Sequence, residues 1–353
     1  MSTYELPPRD PSKPDVCMLV GATFNDDPNE LDADCYIRKT LSEKVNLVNL
    51  EEAERMAANA KPVAAILCLP HPHVDGALLD RIAPEGGKTC ALVANYGVGV
   101  DHIDLGDAAA RGIAVTNTPH VLNGSVADMA FALLLAVARH VVRGDAHCRG
   151  PAYTRYDHNV LLGADVGGKT LGIVGMGRIG QEVARRGALG FGMPVLYHNR
   201  RRREDAEAEL TAAGVGAGGV EFCAELHELL RRADHVVLLC PHTAETTGLI
   251  DAAALAVMKP TATLVNIARG AVVDTAALTD ALREGRLHGA GLDVTEPEPL
   301  PKDHPLNSME NVIFTPHRGS ACKGTRDKMA QLVVRNLLKG IGGEPLETPV
   351  ESS

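Results

Sequence analysis

Short apolar runs rich in Val, Ile and Leu recur along this chain, and between them apolar residues return every three or four positions. The runs at 16–22, 64–69, 92–94 and 113–117 read as buried strands, with helical patterns at 75–82 and 105–111 between them. A longer helix is predicted over 125–148, with Val126, Ala130, Leu133, Leu134 and Val137 on one apolar face. An irregular stretch, 150–168, follows. Strand signals then resume at 170–174, 194–198, 235–240, 262–267, 290–294 and 312–315, and an amphipathic helix at 322–338 ends the pattern. Strands alternating with helices predict an α/β fold with parallel sheets covered on both faces. The alternation before and after the 150–168 stretch predicts two Rossmann-like, doubly wound parallel-sheet domains, with a ligand cleft expected between them.

The run at 170–174 leads straight into Gly175, Gly177 and Gly180, spaced G-x-G-x-x-G, and then into Ile179, Val183, Ala184 and Ala188 at helical spacing. The first glycine allows a sharp turn, the second a close approach to a pyrophosphate and the third tight helix–strand packing. The pyrophosphate would rest on the free N–H groups of the helix start. Gly214, Gly216 and Gly219 repeat the spacing but follow a helical stretch, so that copy reads as a loop. A site for NAD places an acidic residue at the end of the next strand. Here that strand ends in Asn199, Arg200, Arg201, Arg202 and Arg203. A carboxylate would repel a ribose 2′-phosphate, whereas a guanidinium pairs with it, so NADPH is the better fit and NADH a possible one. A solvated basic turn or a nuclear-localisation-like run is the alternative reading of the arginine run.

Composition narrows the partners. At 353 residues there is room for two domains with sizeable cores. The net charge of −10 and the absence of tryptophan argue against nucleic acid as a partner. The eight cysteines form no C-x-x-C pair, which predicts reduced thiols, no metal centre and a cytoplasmic location. The polar N-terminus does not read as a signal peptide. The longest apolar stretch, 129–142, is broken by Arg139 and His140 and is too short to span a membrane.

Three stretches lie just past predicted strands, where open α/β sheets bind ligands. They are V-N-I-A-R-G with Arg269, G-L-D-V-T-E-P-E-P-L-P with Asp293, Glu296 and Glu298, and F-T-P-H-R-G-S with His317. Separately these read as a surface turn, a proline-stiffened acidic loop and one histidine of fourteen. Together they fit one chemistry. Hydride transfer to a 2-oxo acid needs a cation for the carboxylate and carbonyl and a proton donor for the developing alkoxide. An Arg and a carboxylate-paired His supply both.

With these motifs the chain resembles the D-isomer-specific 2-hydroxyacid dehydrogenases over nearly all of its length after the N-terminal tail. G-F-G-M-P-V-L-Y-H-N-R-R-R and G-L-D-V-T-E-P-E-P-L-P are most similar to the NADPH-using glyoxylate/hydroxypyruvate reductases and 2-ketogluconate reductases. The resemblance implies reduction of glyoxylate, hydroxypyruvate or 2-ketogluconate. It implies that Arg269 contacts substrate, that Glu298 rather than Glu296 partners His317, and that His317 is the acid in reduction and the base in oxidation. Backbone N–H groups around Val98 and Gly99 would hold the substrate carboxylate. Arg178 and Ile179 would line the pyrophosphate, Pro241 the adenosine side, and Asp293 the nicotinamide carboxamide. Ile267, Ala268 and Gly319 complete the implied cofactor contacts. The implied domain plan is discontinuous, with a substrate domain of 1–121 completed by 318–353 around a dinucleotide-binding domain of 122–317. The helix at 125–148 and the segment after it resemble the family's dimerisation arm, which implies a homodimer.

Arg318 stands where the family usually has Ile, and Pro70-His71-Pro72-His73 replaces plainer residues near the implied substrate mouth. Glu298 and Val98 argue against formate-oxidising and phosphite-oxidising relatives, which carry Gln and Lys there. Two alternatives stay open: an NAD-dependent D-3-phosphoglycerate dehydrogenase-like enzyme, and a dinucleotide-sensing scaffold similar to the C-terminal-binding-protein corepressors.

Overall fold

The computed structural model describes residues 9–20, 32–69, 72–215 and 219–351. The first elements are β1 (Asp15–Val20), α1 (Asp32–Ser42), β2 (Asn46–Val48), α2 (Leu50–Ala58), β3 (Ala65–Leu69), α3 (Gly76–Ile82), β4 (Leu92–Asn95), α4 (Leu105–Ala110) and β5 (Ala114–Thr116). Two helices follow, α5 (Asn123–Ala138) and α6 (Val141–Arg149). Next come β6 (Leu171–Val174), α7 (Arg178–Arg185), β7 (Val195–His198), α8 (Glu204–Ala212), β8 (Val220–Phe222), α9 (Leu226–Arg232) and β9 (His235–Leu238). The chain ends through α10 (Ala252–Val257), β10 (Thr263–Asn266), α11 (Thr275–Arg283), β11 (Gly289–Leu292), β12 (Val312–Phe314) and α12 (Lys323–Ile341).

Both sheets are wholly parallel, as the apolar runs predict. One has the order β2-β1-β3-β4-β5 and the other β12-β11-β10-β9-β6-β7-β8. In the second the order reverses between β6 and β9, which creates the switch point where doubly wound sheets bind ligands. The chain divides into two compact units, Met1–Leu122 with Ala321–Ser353, and Asn123–Ser320. In the first, α12 packs on α1 and β4, and Val350 N–H donates to Val115 O at 2.8 Å.

Strand-to-helix turns recur with one chemistry. Asp75, Asp104, Asp251 and Asp274 each accept a backbone N–H from the first turn of α3, α4, α10 and α11, at 2.8–2.9 Å. Each such cap is worth about 1 kcal/mol. In the second unit the core lies between β6, β9, β10 and β11 and helices α9, α10 and α11. Helix α5 crosses β10 and β11 and packs on α7.

The expected single helix over 125–148 is two helices, bent by 58° at His140. His140 takes a left-handed conformation with φ of 52°. The Ala138 carbonyl accepts the backbone N–H of Ala164 at 2.8 Å, so the returning segment ends the helix. The predicted apolar face of α5 is buried throughout, whereas α6 buries none of its residues. Among the described residues, no single helix is long and apolar enough to cross a membrane. Of the second glycine-rich copy, Gly216 lies outside the described residues, as do Pro70 and His71.

Two histidines in the second unit give a pH signature. His235, 1% exposed at the start of β9, has its pKa lowered chiefly by burial. His140 is shifted the same way by burial and by neighbouring His288 and Arg143. Both take up a proton less readily when folded than in the unfolded chain, whose histidines protonate near the ordinary value of about 6.5, so their contribution is full above that pH and is lost as pH falls below it. Carboxylates held low by arginines, such as Asp205 at about 2, act in a separate window at lower pH. We predict that the denaturant midpoint drops between pH 7 and pH 5, and that His235→Phe flattens this dependence, as read from urea unfolding monitored by circular dichroism.

Candidate active site

The glycine turn forms as the spacing requires. Gly175 has φ of +107°, and a Cβ there would lie 2.6 Å from the Cys240 backbone N, so the turn is pressed against the end of β9. A Cβ on Gly180 would lie 2.3 Å from Gly175 O, which brings α7 directly onto the turn. Gly177 caps α7 without any side-chain hydrogen bond, and its missing Cβ opens onto empty space. Arg178 and Ile179 open the helix. The backbone N–H groups of that first turn therefore form an anion cradle that a side chain at 177 would fill. Pro241 follows the abutting Leu239–Cys240 peptide, its carbonyl accepting from Thr246 Oγ1 at 2.7 Å. Burial pushes the Cys240 thiol up to about 11, so it is a neutral lining group rather than a nucleophile.

At the end of β7 the arginine run divides. Arg202 pairs with Glu207 and Arg203 with Asp205, in both cases through two nitrogens. Arg200 and Arg201 are exposed, and Asn199 Nδ2 donates to the Arg201 carbonyl at 3.2 Å.

Three neighbouring strands, β10, β11 and β12, carry the other candidates at their C-terminal ends. Asn266, 1% exposed, donates from Nδ2 to Arg269 O at 2.8 Å and accepts the Ala268 N–H at 3.0 Å, which shapes the loop through Ile267, Ala268 and Arg269. Arg269 is half-buried, and its Nη1 donates to Ala268 O at 2.8 Å. The loop lies tight against the next one, since a Cβ on Gly270 would be 2.0 Å from Thr295 C and O. That next loop carries Glu298, whose Oε1 is 2.9 Å from His317 Nδ1.

His317 itself has φ of 52°, in the left-handed region. Its N–H donates to Asp293 O at 2.8 Å. The Asp293 carboxylate, 2% exposed, accepts from Thr315 Oγ1 at 2.6 Å and from the N–H groups of Arg318 and Gly319 at 2.7 and 2.9 Å. Asp293 and Gly319, expected as cofactor contacts, are thus bonded to each other, and Arg318 extends its side chain to solvent.

Val98 and Gly99 belong to the other unit, past β4. The Val98 carbonyl accepts from Asn117 Nδ2 at 2.8 Å, and the carbonyls of Gly97 and Gly99 from Asn95 Nδ2 at 3.2 and 2.8 Å. In a planar trans peptide the N–H opposes the C=O, so these bonds turn the N–H groups of Val98, Gly99 and Val100 the other way. Asn95, Asn117, Asn266 and Thr315 were missed in the sequence reading. Their signal was a polar residue at or just past the end of an apolar strand. Among the described residues, Glu221, Cys223 and Glu228 bring metal-type ligand atoms within mutual reach, but Arg232 bridges the two carboxylates at 2.6–2.9 Å.

Residues 131–319 match the family model described as D-isomer specific 2-hydroxyacid dehydrogenase, NAD binding domain. The chain belongs to the D-isomer-specific 2-hydroxyacid dehydrogenases. It is an oxidoreductase that uses NAD(P) to interconvert 2-oxo and 2-hydroxy acids. The dehydrogenase is 50% identical over 270 residues to a glyoxylate reductase of Pyrococcus horikoshii, covering 75% of this chain and 78% of that one. It is 47% identical over 295 residues to a glyoxylate reductase of Pyrococcus furiosus, covering 82% and 83%. Its structure is similar to the NADPH-dependent glyoxylate/hydroxypyruvate reductase of Sinorhizobium meliloti solved with NADP and malonate, with a TM-score of 0.81, 33% identity and 96% and 97% coverage. The open cradle at Gly177 and the bare start of α7 fit a dinucleotide pyrophosphate in this dehydrogenase.

The contact between the first two strand-end loops gives a direct check. A Gly270→Ala side chain would meet backbone rather than a flexible tip, forcing the Arg269 and Glu298 loops apart. We predict a loss of about 1–3 kcal/mol in stability and at least a roughly tenfold fall in kcat/KM, measured by thermal unfolding and initial rates.

Proposed function

We propose that this dehydrogenase reduces glyoxylate, with hydroxypyruvate as a further substrate, and prefers NADPH to NADH. The observation that carries the reading is the 2.9 Å contact between His317 Nδ1 and Glu298 beside the Arg269 loop. The names of the Pyrococcus relatives support glyoxylate, and that of the Sinorhizobium enzyme supports hydroxypyruvate and NADPH.

Gly175, Gly177, Arg178, Ile179 and Gly180 would hold the pyrophosphate, Pro241 would border the adenosine, and Ile267 and Ala268 would border the nicotinamide. Bound there, the reduced cofactor supplies the hydride. Glu298 accepts the Nδ1 hydrogen of His317, which leaves Nε2 to carry a proton to the substrate carbonyl oxygen. Arg269 holds the substrate carboxylate and stabilises the charge that develops on that oxygen. The N–H groups around Val98 and Gly99 add donors for the carboxylate. Asp293 orients His317 through the backbone.

The unit completed by Ala321–Ser353 is the substrate domain in this reading. A homodimer is supported by the exposed apolar side chains of Val141, Val142, Tyr153, Tyr156 and Leu162, which lie on α6 and the segment after it. A cytoplasmic location is supported by the free thiols, Cys148 and Cys322 being exposed. The net charge of −10 supports a small anion handled by local cations rather than nucleic acid or a membrane as partner.

Two experiments test this reading. His317→Asn is expected to lower kcat for glyoxylate by roughly 10²- to 10⁴-fold, and Glu298→Gln by less, with NADPH affinity retained in both. Retained kcat in His317→Asn would remove the proton-donor role. Replacing Arg200 and Arg201 together with serine is expected to weaken NADPH roughly 10- to 100-fold and NADH much less. Equal losses for the two nucleotides would reject the 2′-phosphate contact.

A further inference from the structure

We propose that Tyr197 is a positioning residue for nucleotide choice, its buried hydroxyl latching the basic loop so that Arg200 and Arg201 are presented to a ribose 2′-phosphate. The inference rests on the NADPH reading and deepens it by naming what arranges the arginines.

Tyr197 lies in β7 with no exposed surface, its ring against Phe222 at 5.3 Å between centroids. Its hydroxyl donates to Glu207 Oε1 at 2.6 Å and accepts the Arg203 backbone N–H at 2.9 Å. That N–H belongs to the start of α8, where a helix leaves its donors without intrahelical partners. One hydroxyl therefore joins the strand end, the helix start and an acidic side chain. Glu207 in turn takes Arg202 in a two-point pair at 3.0 and 2.8 Å. Arg203 takes Asp205 at 2.8 and 2.6 Å and also reaches Met176 O, in the glycine turn, at 3.3 Å. The Asn199 amide closes on Arg201 O. The backbone of 199–203 is thereby held at several points, one of them tied to the glycine turn.

Charge arithmetic follows from those pairs. Of the four guanidinium groups at 200–203, those of Arg202 and Arg203 are paired with Glu207 and Asp205, while Arg200 and Arg201 are exposed, with Glu245 close enough to Arg200 to interact with it. A phosphate monoester carries about −1.5 to −2 charges near neutrality, which two guanidinium groups match. Ordering a loose loop on binding costs affinity, and a loop already fixed avoids that cost. The neutral ribose of NADH gains nothing from this arrangement, so the latch acts on selectivity rather than on dinucleotide binding in general.

The test uses the full-length protein and the quenching of nicotinamide fluorescence, alongside kcat/KM with each cofactor. Tyr197→Phe keeps the ring and removes the hydroxyl. It is expected to weaken NADPH roughly 5- to 50-fold while NADH changes by less than about twofold. Glu207→Gln, at a half-buried position outside the core, loosens Arg202 and the hydroxyl together and is expected to give the same selective loss. An NADPH-to-NADH ratio that stays at the wild-type value in both variants overturns the proposal, as does an equal loss of both nucleotides. The Arg200→Ser/Arg201→Ser variant separates the two levels. If it leaves the ratio unchanged, the 2′-phosphate reading fails and the latch with it. If it collapses the ratio while Tyr197→Phe does not, the latch fails by itself.

Discussion

The left-handed backbone at His317 is the constraint on which the candidate site depends. A non-glycine residue held there costs about 1–3 kcal/mol. The buried Asp293 carboxylate answers it with bonds from Thr315 Oγ1 and the N–H groups of Arg318 and Gly319. Each hydrogen bond to a charged group contributes about 1.5–3 kcal/mol, a magnitude comparable with the strain. The same bonds satisfy a carboxylate that would otherwise be buried at high cost. The three hydrogen bonds thus serve a strained turn and a buried charge at once, and the turn they hold sets the imidazole against Glu298. The strand register extends the effect: Leu292 pairs with both Asn266 and Phe314, so the loops that follow β10, β11 and β12 start side by side.

Much of the fold could be read from the sequence because parallel strands buried on both faces leave continuous apolar runs. The strands β3, β6, β9 and β10 stand out for that reason. The three-residue β2 and β8 did not stand out. Val220–Phe222 alternates half-buried and exposed positions at the sheet edge, and three residues are too few to set a period. The helix break at His140 was hidden for a different reason. Its cause is the Ala138–Ala164 bond, a contact between segments 26 residues apart that no local pattern records.

In the candidate site, the motifs identified residue types but not their commitments. Arg269 and His317 stand out as polar residues after apolar strands, while the choice of Glu298 over Glu296 came from resemblance alone, because 19 residues and two loops separate it from His317. The arginine run shows the limit most clearly. Four consecutive arginines look equivalent in the sequence, and nothing in the spacing says that Glu207 and Asp205 claim two of them. Likewise the motif around Asp293 does not show that its oxygens accept from the turn that carries His317.

A protein with a net charge of −10 that handles an anionic acid and an anionic nucleotide must solve an electrostatic problem locally. Its overall field repels both ligands, but that field fades within about 8 Å at physiological ionic strength. Within that range the nearest groups dominate, and in the dinucleotide-binding unit these include the N–H groups at the start of α7 and a few guanidinium groups. Guanidinium groups fit this task better than a diffuse basic surface, because each pairs through two nitrogens and keeps its direction. The acidic residues at the start of α8 fit the same logic. Asp205 and Glu207 interact favourably with the helix dipole and also hold two of the four neighbouring arginines. A loop with four free guanidinium groups would repel itself, whereas pairing two of them with Glu207 and Asp205 relieves that repulsion and fixes the shape of the loop.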